Sequence, residues 1–345
     1  MPKSYNRLWE WVIDFENIYH AFREACKGKR YRWEALKFKN LLDENLIVLI
    51  NDLDYESYRL AEYRQFYVYE PKKRLISAPQ FRDRVMHHAL CQVIEPIFEN
   101  RFVSGTFACR VGRGTHASMQ YVLKCARAAK RRWGNYYVLK GDMSHYFPTV
   151  DHKLLKGIIR RNIADKKILR LIDTIIDSYS TEGTPGKGIP IGALTSQLFA
   201  NVYLGPLDHW IKEEKTIKYY IRYMDDFVII HNDKNFLKEL LKKIEVFLHD
   251  KVQLTLNPKT GIFPGRHGID FCGYRVWPSH VKPRKSTIGR AKRRFRKMAR
   301  IFPDDPGILE HAKASINSFL GYIKHCNGWQ TTKSVLERAI FKYRE

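Results

Sequence analysis

Two adjacent aspartates, Asp225 and Asp226, lie in the middle of the apolar run IRYMDDFVII at residues 221–230. Two carboxylates about 4 Å apart repel by roughly 4 kcal/mol at an effective dielectric near 20, and desolvation adds to that cost. Three features could offset it: a hairpin turn that exposes both acids to water, an Arg or Lys partner, or a divalent metal. The segment alone leaves the turn and the metal site open.

A third aspartate, Asp142, ends the apolar strand that starts with Tyr136–Leu139. If the two runs are neighbouring strands of one sheet, the three carboxylates converge. Three carboxylates are what two Mg²⁺ ions about 3.5–4 Å apart need for in-line phosphoryl transfer. We therefore expect Asp142, Asp225 and Asp226 to be catalytic ligands of two Mg²⁺ ions, with Mn²⁺ as an alternative. Met143, next to Asp142, is included among the candidate metal ligands.

Periodicity predicts the elements that position these acids. Helical spacing of apolar residues occurs in six segments, residues 5–65, 81–98, 153–178, 193–211, 235–250 and 282–300. Within the first, KGKRYR and NDLD read as loops. Strands are predicted as a hairpin at 66–79, as Tyr136–Leu139, as a pair at 221–230, and within 254–263 and 268–278.

The charge balance points to a polyanionic partner. The chain has 61 Lys and Arg against 36 Asp and Glu, a net charge of +25, which favours nucleic acid first and an anionic membrane surface second. Residues 282–300 hold ten cations and no acid. An apolar stripe of Ile288, Ala291, Phe295 and Met298 predicts a helix whose other faces are basic. The alternative is a charged face that contacts only water.

Other classes of protein are disfavoured. The apolar stretches are shorter than a membrane helix needs, and the N-terminus lacks a signal peptide's apolar region, so we expect a cytoplasmic protein without a membrane partner. Six cysteines without a C-x-x-C pair indicate buried thiols in a reducing compartment. His87, His88 and Cys91 are close in sequence, and we expect them to be packed helix residues. The glycine-rich GTPGKGIPIG lacks the order of a phosphate-binding P-loop.

Several motifs, in order along the chain, resemble those of reverse transcriptases. YMDD (residues 223–226) resembles their central hairpin, and YYVLKGDMSHYFPTVDH resembles their first catalytic motif. The further matches are PKKRLISAPQFRDRVMHHAL, FVSGTFACRVGRGTHASM, GIPIGALTSQLFANVYL, LTLNPKT and FCGYRVW. The resemblance extends from about residue 15 to 330. YMDD alone is a weak signal, whereas seven blocks in order are a strong one.

The resemblance implies a fold and its division. The fold is an α+β right-hand polymerase with fingers, a palm whose antiparallel sheet packs on helices, and a short helical thumb. Residues 1–136 would form an N-terminal extension and the fingers. The palm would be 137–280, with an inserted fingers segment around 153–192, and 281–345 would form the basic helical thumb.

Roles at individual positions also follow from the resemblance. Phe147 matches the aromatic gate that excludes a 2′-hydroxyl, and the neighbouring Tyr146 competes for that role. Lys73, Arg74 and Arg110 would meet the triphosphate of an incoming dNTP, and Lys259 would be a general acid near the pyrophosphate. The basic thumb helix would follow a duplex of template RNA and cDNA. Its nucleic-acid-binding residues would be Arg290, Arg293, Arg294 and Lys297.

The sequence of the loop before residue 198 indicates which subtype of reverse transcriptase the chain resembles. Group II intron and retron enzymes usually carry Q-G-x-x-x-S-P there, whereas this chain has Ile191, Gly192 and Gln197 in IGALTSQ. That pattern resembles the reverse transcriptases of diversity-generating retroelements, and we expect these three residues to lie at the nucleotide site. The resemblance implies copying of a structured template-repeat RNA with errors opposite adenine, together with a small accessory helical-bundle protein.

Two alternatives remain open. One is a retron or group II intron-like enzyme of ordinary fidelity, in a bacterium, archaeon or phage. The chain ends soon after the thumb motifs, which we expect to leave no room for the further domains of intron proteins. The other is a catalytically inert RNA-binding assembly factor, which the intact aspartate triad disfavours.

Overall fold

The computed structural model describes residues 4–69 and 72–342, which form two compact units. The first unit comprises Met1–Ser104, Asp142–Ile217 and Lys242–Pro258. The second comprises Gly105–Gly141, Lys218–Leu241 and Lys259–Glu345. Each unit is therefore assembled from three separate stretches of sequence. The division into residues 1–136, 137–280 and 281–345 follows motifs instead of contacts, and it stays a prediction.

Four helices open the first unit: α1 (Trp9–Ile13), α2 (Phe15–Cys26), α3 (Trp33–Asn40) and α4 (Leu42–Asp54). The side chain of Asp14 accepts a hydrogen bond from the backbone N–H of Asn17 and so caps α2. Ile18, Ala21, Phe22 and Ala25 bury one face of that helix at helical spacing.

The expectation that NDLD at 51–54 is a loop is wrong, because these residues form the last turn of α4. Leu53 is buried there. Asp52 forms an ion pair with Arg82, and Asp54 accepts hydrogen bonds from the indole of Trp9 and the ammonium of Lys167. Asn and Asp favour turns, but burial of Leu53 and the pairing of Asp52 and Asp54 outweigh that preference here.

The predicted hairpin at 66–79 is confirmed. It consists of β1 (Arg64–Val68) and β2 (Arg74–Ala78), an antiparallel pair in which Arg64 is opposite Ala78. Helix α5 (Phe81–Glu99) follows and buries apolar side chains along its length. His87 is fully buried in this helix, and its Nδ1 atom lies 2.7 Å from Oγ1 of Thr195.

The expected helical stretch at 153–178 is two helices, α8 (His152–Arg160) and α9 (Lys166–Asp177), preceded by the short α7 (Tyr146–Thr149). Asp165 causes the break: its side chain accepts hydrogen bonds from the backbone N–H groups of Lys167 and Ile168 and so caps α9. The segment expected to be helical at 193–211 contains α10 (Leu194–Tyr203) and α11 (Gly205–His209), and a π-helical turn (Trp210–Glu214) follows.

A four-stranded sheet lies in the second unit, apart from the last residue of one strand. Its strands are β3 (Tyr137–Asp142), β4 (Tyr220–Tyr223), β5 (Asp226–His231) and β6 (Gly261–Pro264), in the order β4-β5-β3-β6. The β4–β5 and β3–β6 pairs are antiparallel. Strand β3 ends at Asp142, as the sequence predicts, and it begins at Tyr137, one residue after the expected start at Tyr136.

Glycine at position 141 permits the packing of β3 against β5. A Cβ atom at Gly141 would lie 2.2 Å from the ring of Phe227. No side chain fits there, so the ring occupies the space over the glycine. The residues that follow Gly141 and precede Phe227 are Asp142 and Asp226.

The rest of the second unit covers this sheet and adds the expected helical tail. Helix α6 (Thr115–Trp133) and the small sheet of β7 (Ile269–Phe271), β8 (Tyr274–Val276) and β9 (Val281–Pro283) share one apolar core with β3, β4 and β5. Helix α12 (Lys234–Phe247) follows β5 and leaves the second unit after Leu241; the π-helical turn after it (Leu248–Val252) belongs to the first unit.

The predicted basic helix is α13 (Lys285–Ile301), which begins three residues later than expected. It packs with α14 (Ile308–Ile323) and α15 (Trp329–Leu336) around Phe295, Phe319, Ile323 and Val335. Ile288, Ala291 and Met298 pack against the same cluster, as the apolar stripe predicts.

Candidate active site

The two adjacent aspartates lie at the tip of the β4–β5 hairpin. Tyr223 pairs with Asp226, so Met224 and Asp225 form a two-residue turn. Both aspartates are half-buried. Ile221, Phe227 and the residues up to Ile230 are buried, and they fix the hairpin in the core of the second unit. The turn and the apolar flanks expected from the sequence are both present.

A buried arginine holds this turn. Arg222 has 0% exposure, and its Nη1 atom donates a hydrogen bond of 2.8 Å to the carbonyl oxygen of Met224. Met224 has φ of +57°, a left-handed conformation that a side chain with a Cβ adopts at a cost of about 1–2 kcal/mol. The surrounding contacts stabilise a turn that the local sequence does not favour. Arg222 was absent from the residues proposed from sequence, although a cation within an apolar strand is a visible signal.

Two acidic groups near the hairpin tip, the Cys272 thiol and the Tyr223 phenol, have raised pKa values and so keep their protons at neutral pH. Burial, with a smaller effect of the nearby Asp226 carboxylate, raises the pKa of the Cys272 thiol to about 12. Burial also raises the pKa of the Tyr223 phenol. A neutral thiol is a poor metal ligand. The aspartate carboxylates are therefore better metal ligands at this tip than the Cys272 thiol.

Asn257 holds Asp142 in the first unit. The backbone N–H of Asn257 donates to the carbonyl oxygen of Asp142 over 2.7 Å, and its Nδ2 atom lies 3.3 Å from Oδ2 of the same residue. Met143 has a buried side chain, and its backbone forms a bridge with Leu256. Only Lys259 had been proposed from the LTLNPKT block. Asn257 was missed because a single amide side chain in this segment carries no pattern that marks its partner.

The carboxylate oxygens of Asp142, Asp225 and Asp226 are ligands of the kind that a hard divalent cation prefers. Carboxylate oxygens are the ligands that Mg²⁺ prefers, and Mg²⁺ usually takes one or two of them plus water and substrate phosphates. Among the residues described, no three His, Cys, Asp or Glu side chains are grouped closely enough to hold a metal by themselves. The convergence of Asp142, Asp225 and Asp226 on two ions therefore stays a prediction.

The two aromatic gate candidates occupy different environments. Tyr146 is buried, and its hydroxyl donates to the carbonyl oxygen of Ala200. Phe147 is half-buried, and its carbonyl accepts a hydrogen bond of 3.0 Å from the N–H of Ile189. Tyr146 already uses its hydroxyl within the core, which favours Phe147 for contact with a ligand.

The loop that carries Ile191 is fixed to β2. The N–H of Ser77 donates to the carbonyl oxygen of Ile191 over 2.8 Å. Gly192 has φ of +129°, and a Cβ atom there would lie 2.9 Å from Ile76 and 3.1 Å from the carbonyl oxygen of Ser77, so a larger residue does not fit. The side chain of Ile191 is half-buried, and Gln197 is exposed on α10.

The proposed phosphate-binding cations differ in exposure. Lys73 and Arg74 are exposed beside the β1–β2 hairpin, and the Lys73 ammonium lies 4.2 Å from the centre of the Tyr67 ring. Arg110 is 9% exposed, and its guanidinium donates to the carbonyl and hydroxyl oxygens of Thr106. Lys259 is exposed in a turn before β6. Their contact with a triphosphate stays a prediction.

The four cations predicted to bind nucleic acid, Arg290, Arg293, Arg294 and Lys297, are all exposed on α13. Phe295 on the same helix faces the apolar cluster instead. The helix therefore has the separate apolar and basic faces that the sequence predicts.

Two expectations concern membranes and thiols. Within the described chain, no helix has the length and apolarity that a membrane span requires. Cys91 and Cys125 are buried as expected, whereas Cys26, Cys272 and Cys326 are only partly buried. The expectation is wrong for Cys109, which is exposed in the loop before α6.

Comparisons with known proteins support the same family. A family model described as "Reverse transcriptase (RNA-dependent DNA polymerase)" matches residues 69–276. Protein YkfC of Escherichia coli (strain K12) is 28% identical over 253 residues, which are 61% of this chain and 65% of YkfC. The group II intron-encoded protein LtrA of Lactococcus lactis subsp. cremoris is 25% identical over 284 residues, covering 76% of this chain and 45% of LtrA.

The solved structures bear on the fold. The apo telomerase of Candida tropicalis, truncated from its C-terminal domain, matches with a TM-score of 0.51 at 16% identity, over 68% of this chain and 58% of that one. The expected α+β right-hand polymerase fold is confirmed by this likeness and by the mixture of helices and antiparallel sheet. Since the family model covers well over half of the 345 residues, this chain belongs to the reverse transcriptase family.

Proposed function

We propose that this chain is an RNA-directed DNA polymerase that makes cDNA by two-metal nucleotidyl transfer. One observation carries the proposal. The Phe227 ring packs over Gly141, so the two strands that bear the acids are neighbours, and the next residues along each strand are Asp226 and Asp142. A sheet that brings acidic strand ends together within a protein of net charge +25 suits chemistry on a polyanion.

In this proposal Asp142, Asp225 and Asp226 bind the metal ions. Reverse transcriptase domains generally use divalent ions, which when bound would activate the primer 3′-hydroxyl and neutralise the departing pyrophosphate. Arg222 holds the turn in which Asp225 lies, and Asn257 orients Asp142. Positions fixed before substrate binds reduce the reorganisation needed in the transition state.

Phe147 selects the sugar of the incoming nucleotide. Phe147 is half-buried within the first catalytic motif, and its carbonyl accepts a backbone hydrogen bond from the loop that carries Ile191. The same loop is bonded to β2, the strand that begins with Arg74. These contacts join the gate, the loop and the cationic hairpin in one unit. Lys73, Arg74, Arg110 and Lys259 supply the cations for the triphosphate in this proposal.

The finer proposal is that the enzyme copies its template with errors opposite adenine, for targeted gene diversification. The support is the IGALTSQ loop, in which Ile191 stands where related enzymes usually carry Gln. A Gln side chain could hydrogen-bond the nucleotide or the template minor groove, and an aliphatic side chain removes that polar check. Pairing differences alone are worth only a few kcal/mol, so a looser pocket discriminates less. A structured template RNA and a small accessory helical-bundle protein are the partners.

A second candidate is an enzyme of ordinary fidelity like those of group II introns or retrons. The similarity to the intron-encoded protein LtrA favours it. Two near-identical DNA repeats beside the gene that differ mainly at adenines would support diversification, whereas an intron or a retron RNA there would support this second candidate.

Primer extension tests the polymerase proposal. The wild-type chain should extend a DNA primer on an RNA template with Mg²⁺ and dNTPs, and Asp225→Asn should not. Equal extension by both would refute the catalytic assignment of Asp225, and absence of extension by the wild-type chain would favour an inert RNA-binding assembly factor.

A further inference from the structure

A fully buried histidine in α5 takes no part in the polymerase chemistry proposed above. His87 has 0% exposure, and its Nδ1 atom lies 2.7 Å from Oγ1 of Thr195, which also has 0% exposure. Thr195 is in the first turn of α10, the helix that follows the loop carrying Ile191. Helices α5 and α10 pack against each other within the first unit. One buried side-chain hydrogen bond therefore joins α5 to the start of α10.

The His87 ring is neutral and directs one of its nitrogens to Thr195. Burial, with smaller repulsion from His88 and Arg84, lowers the pKa of His87 to about 3. Within the described part of the chain, the second ring nitrogen, Nε2, has no hydrogen-bond partner. A buried polar atom without a partner is destabilising, whereas an apolar side chain would fill the same space without that cost. The contact with Thr195 is therefore what distinguishes this histidine from an apolar residue.

The loop before Thr195 is held on its other side by β2. The N–H of Ser77 donates to the carbonyl oxygen of Ile191 over 2.8 Å, and Gly192 lies so close to β2 that a Cβ atom there would be 2.9 Å from Ile76. Only two residues separate Gly192 from Thr195. A shift of the start of α10 would therefore reach the backbone of Ile191, because close-packed contacts transmit displacement.

We propose that His87 is a positioning residue, which through its bond to Thr195 fixes the start of α10 and thereby the backbone of Ile191 at the nucleotide site. This inference rests on the proposed function for the role of the Ile191 loop. His87 itself does not touch the nucleotide, since its ring is fully buried. A loop that is ordered before the nucleotide arrives binds it more tightly, because less ordering accompanies binding. Loss of the bond should therefore raise KM for the dNTP more than it changes kcat.

Amide hydrogen exchange tests the positioning apart from catalysis. The full chain, without nucleic acid, dNTPs or divalent metal, is followed by mass spectrometry in peptides that contain Ser77 or residues 189–196. Thr195→Val removes the hydroxyl and keeps the shape of the side chain. It should speed exchange of the Ser77 amide about 3- to 10-fold, the range that one net hydrogen bond is worth. Thr195→Ser keeps the hydroxyl and should exchange like the wild type.

Steady-state primer extension gives the second readout. Thr195→Val and His87→Leu should raise KM for the dNTP about 3- to 10-fold, with kcat within about 2-fold of the wild-type value. His87→Gln keeps a hydrogen-bonding group and should recover most of the wild-type KM. Tyr58→Phe is the matched control, because it removes a buried hydroxyl that donates over 2.6 Å to Asp83 on the same helix α5. It should lower the melting temperature and leave KM and Ser77 exchange unchanged.

The outcomes separate this role from packing and from the polymerase proposal. Wild-type exchange at Ser77 or a wild-type KM in Thr195→Val would overturn the role of the bond, as would an equal rise of KM in Tyr58→Phe. If His87→Leu does not fold, the Thr195 variants make the same test from the other side of the bond. Failure of the polymerase proposal would appear separately, as absent primer extension by the wild-type chain, and the exchange measurement would still decide the role of His87.

Discussion

The guanidinium of Arg222 donates a 2.8 Å hydrogen bond to the carbonyl oxygen of Met224, and this bond connects a fully buried cation to the turn that carries Asp225. Met224 is in a left-handed conformation. A buried side chain thus stabilises a backbone that would otherwise relax. The position of the first aspartate of YMDD depends on a residue that need not touch any substrate.

Replacement of this arginine should destabilise the hairpin and abolish activity. Arg222→Met leaves the turn carbonyl without this donor, and we expect a loss of about 2 kcal/mol or more in unfolding free energy, measured by urea denaturation. The rate of primer extension should fall by at least the factor that corresponds to this loss of free energy. Arg131→Met, at an exposed position on α6, is the control and should behave as wild type. Full stability and activity in Arg222→Met would contradict this role.

Replacement of Asn257 should raise the Mg²⁺ concentration that extension requires without affecting folding. Asn257→Ala removes the amide beside Oδ2 of Asp142 but keeps the backbone hydrogen bond to the Asp142 carbonyl. Loss of a group that orients a metal ligand typically costs about 10–100-fold in metal affinity or activity. We expect a higher Mg²⁺ concentration for half-maximal extension, with an unchanged melting temperature. Asn235→Ala on α12 is the matched control. An unaltered Mg²⁺ titration for Asn257→Ala would exclude the role.

Substitutions at Phe147 and Tyr146 should distinguish a role in sugar selection from a role in core packing. Phe147→Ala should raise kcat/KM for ribonucleotides relative to deoxynucleotides by about 10-fold or more, since a steric contact with one group is worth that much. Tyr146→Phe removes only the hydroxyl that donates to Ala200. It should cost about 1 kcal/mol of stability and leave the ratio unchanged. The reverse pattern would assign the gate to Tyr146.

Ile191→Gln should lower the frequency of errors opposite adenine. The backbone of Ile191 is held by Ser77, so the side chain can change without moving the loop. Sequenced cDNA should show several-fold fewer substitutions at template adenines, with errors at other bases as the internal reference. Ile191→Leu keeps an aliphatic chain and should match wild type. An unchanged adenine error rate in Ile191→Gln would mean that Ile191 only packs the loop.

Local patterns predicted the positions of most elements. The apolar run at 221–230, with two turn-favouring aspartates at its centre, indicated the β4–β5 hairpin, and the stripe through Phe295 indicated α13, because hydrophobic pattern and turn chemistry are local properties. The break at Asp165 and the helical NDLD turn were not predicted. Asp165 caps α9 locally and also accepts a hydrogen bond from the backbone N–H of the distant Trp9. In the NDLD turn, the ion pair of Asp52 with Arg82 overrides the local preference for a loop.

The residues of the candidate site were likewise predicted only where their signal is local in the sequence. Motif resemblance indicated the three aspartates, Phe147 and Ile191 from short stretches of sequence. The bond from Asn257 to Asp142 spans 115 residues, and no local spacing encodes it. Arg222 could have been identified as a lone cation in an apolar strand, but its partner is a backbone carbonyl, which has no sequence signature.

The most direct test of the central claim is single-turnover primer extension on a pre-bound RNA–DNA duplex with Mg²⁺. Asp142→Asn, Asp225→Asn and Asp226→Asn are compared with wild type and with Asp233→Asn, an exposed acid after β5. The account predicts that the three site variants bind the duplex with wild-type Kd but extend it at least about 1,000-fold more slowly, while Asp233→Asn extends it normally. Extension at the wild-type rate by any of the three site variants would contradict the assignment of that carboxylate to the metal site.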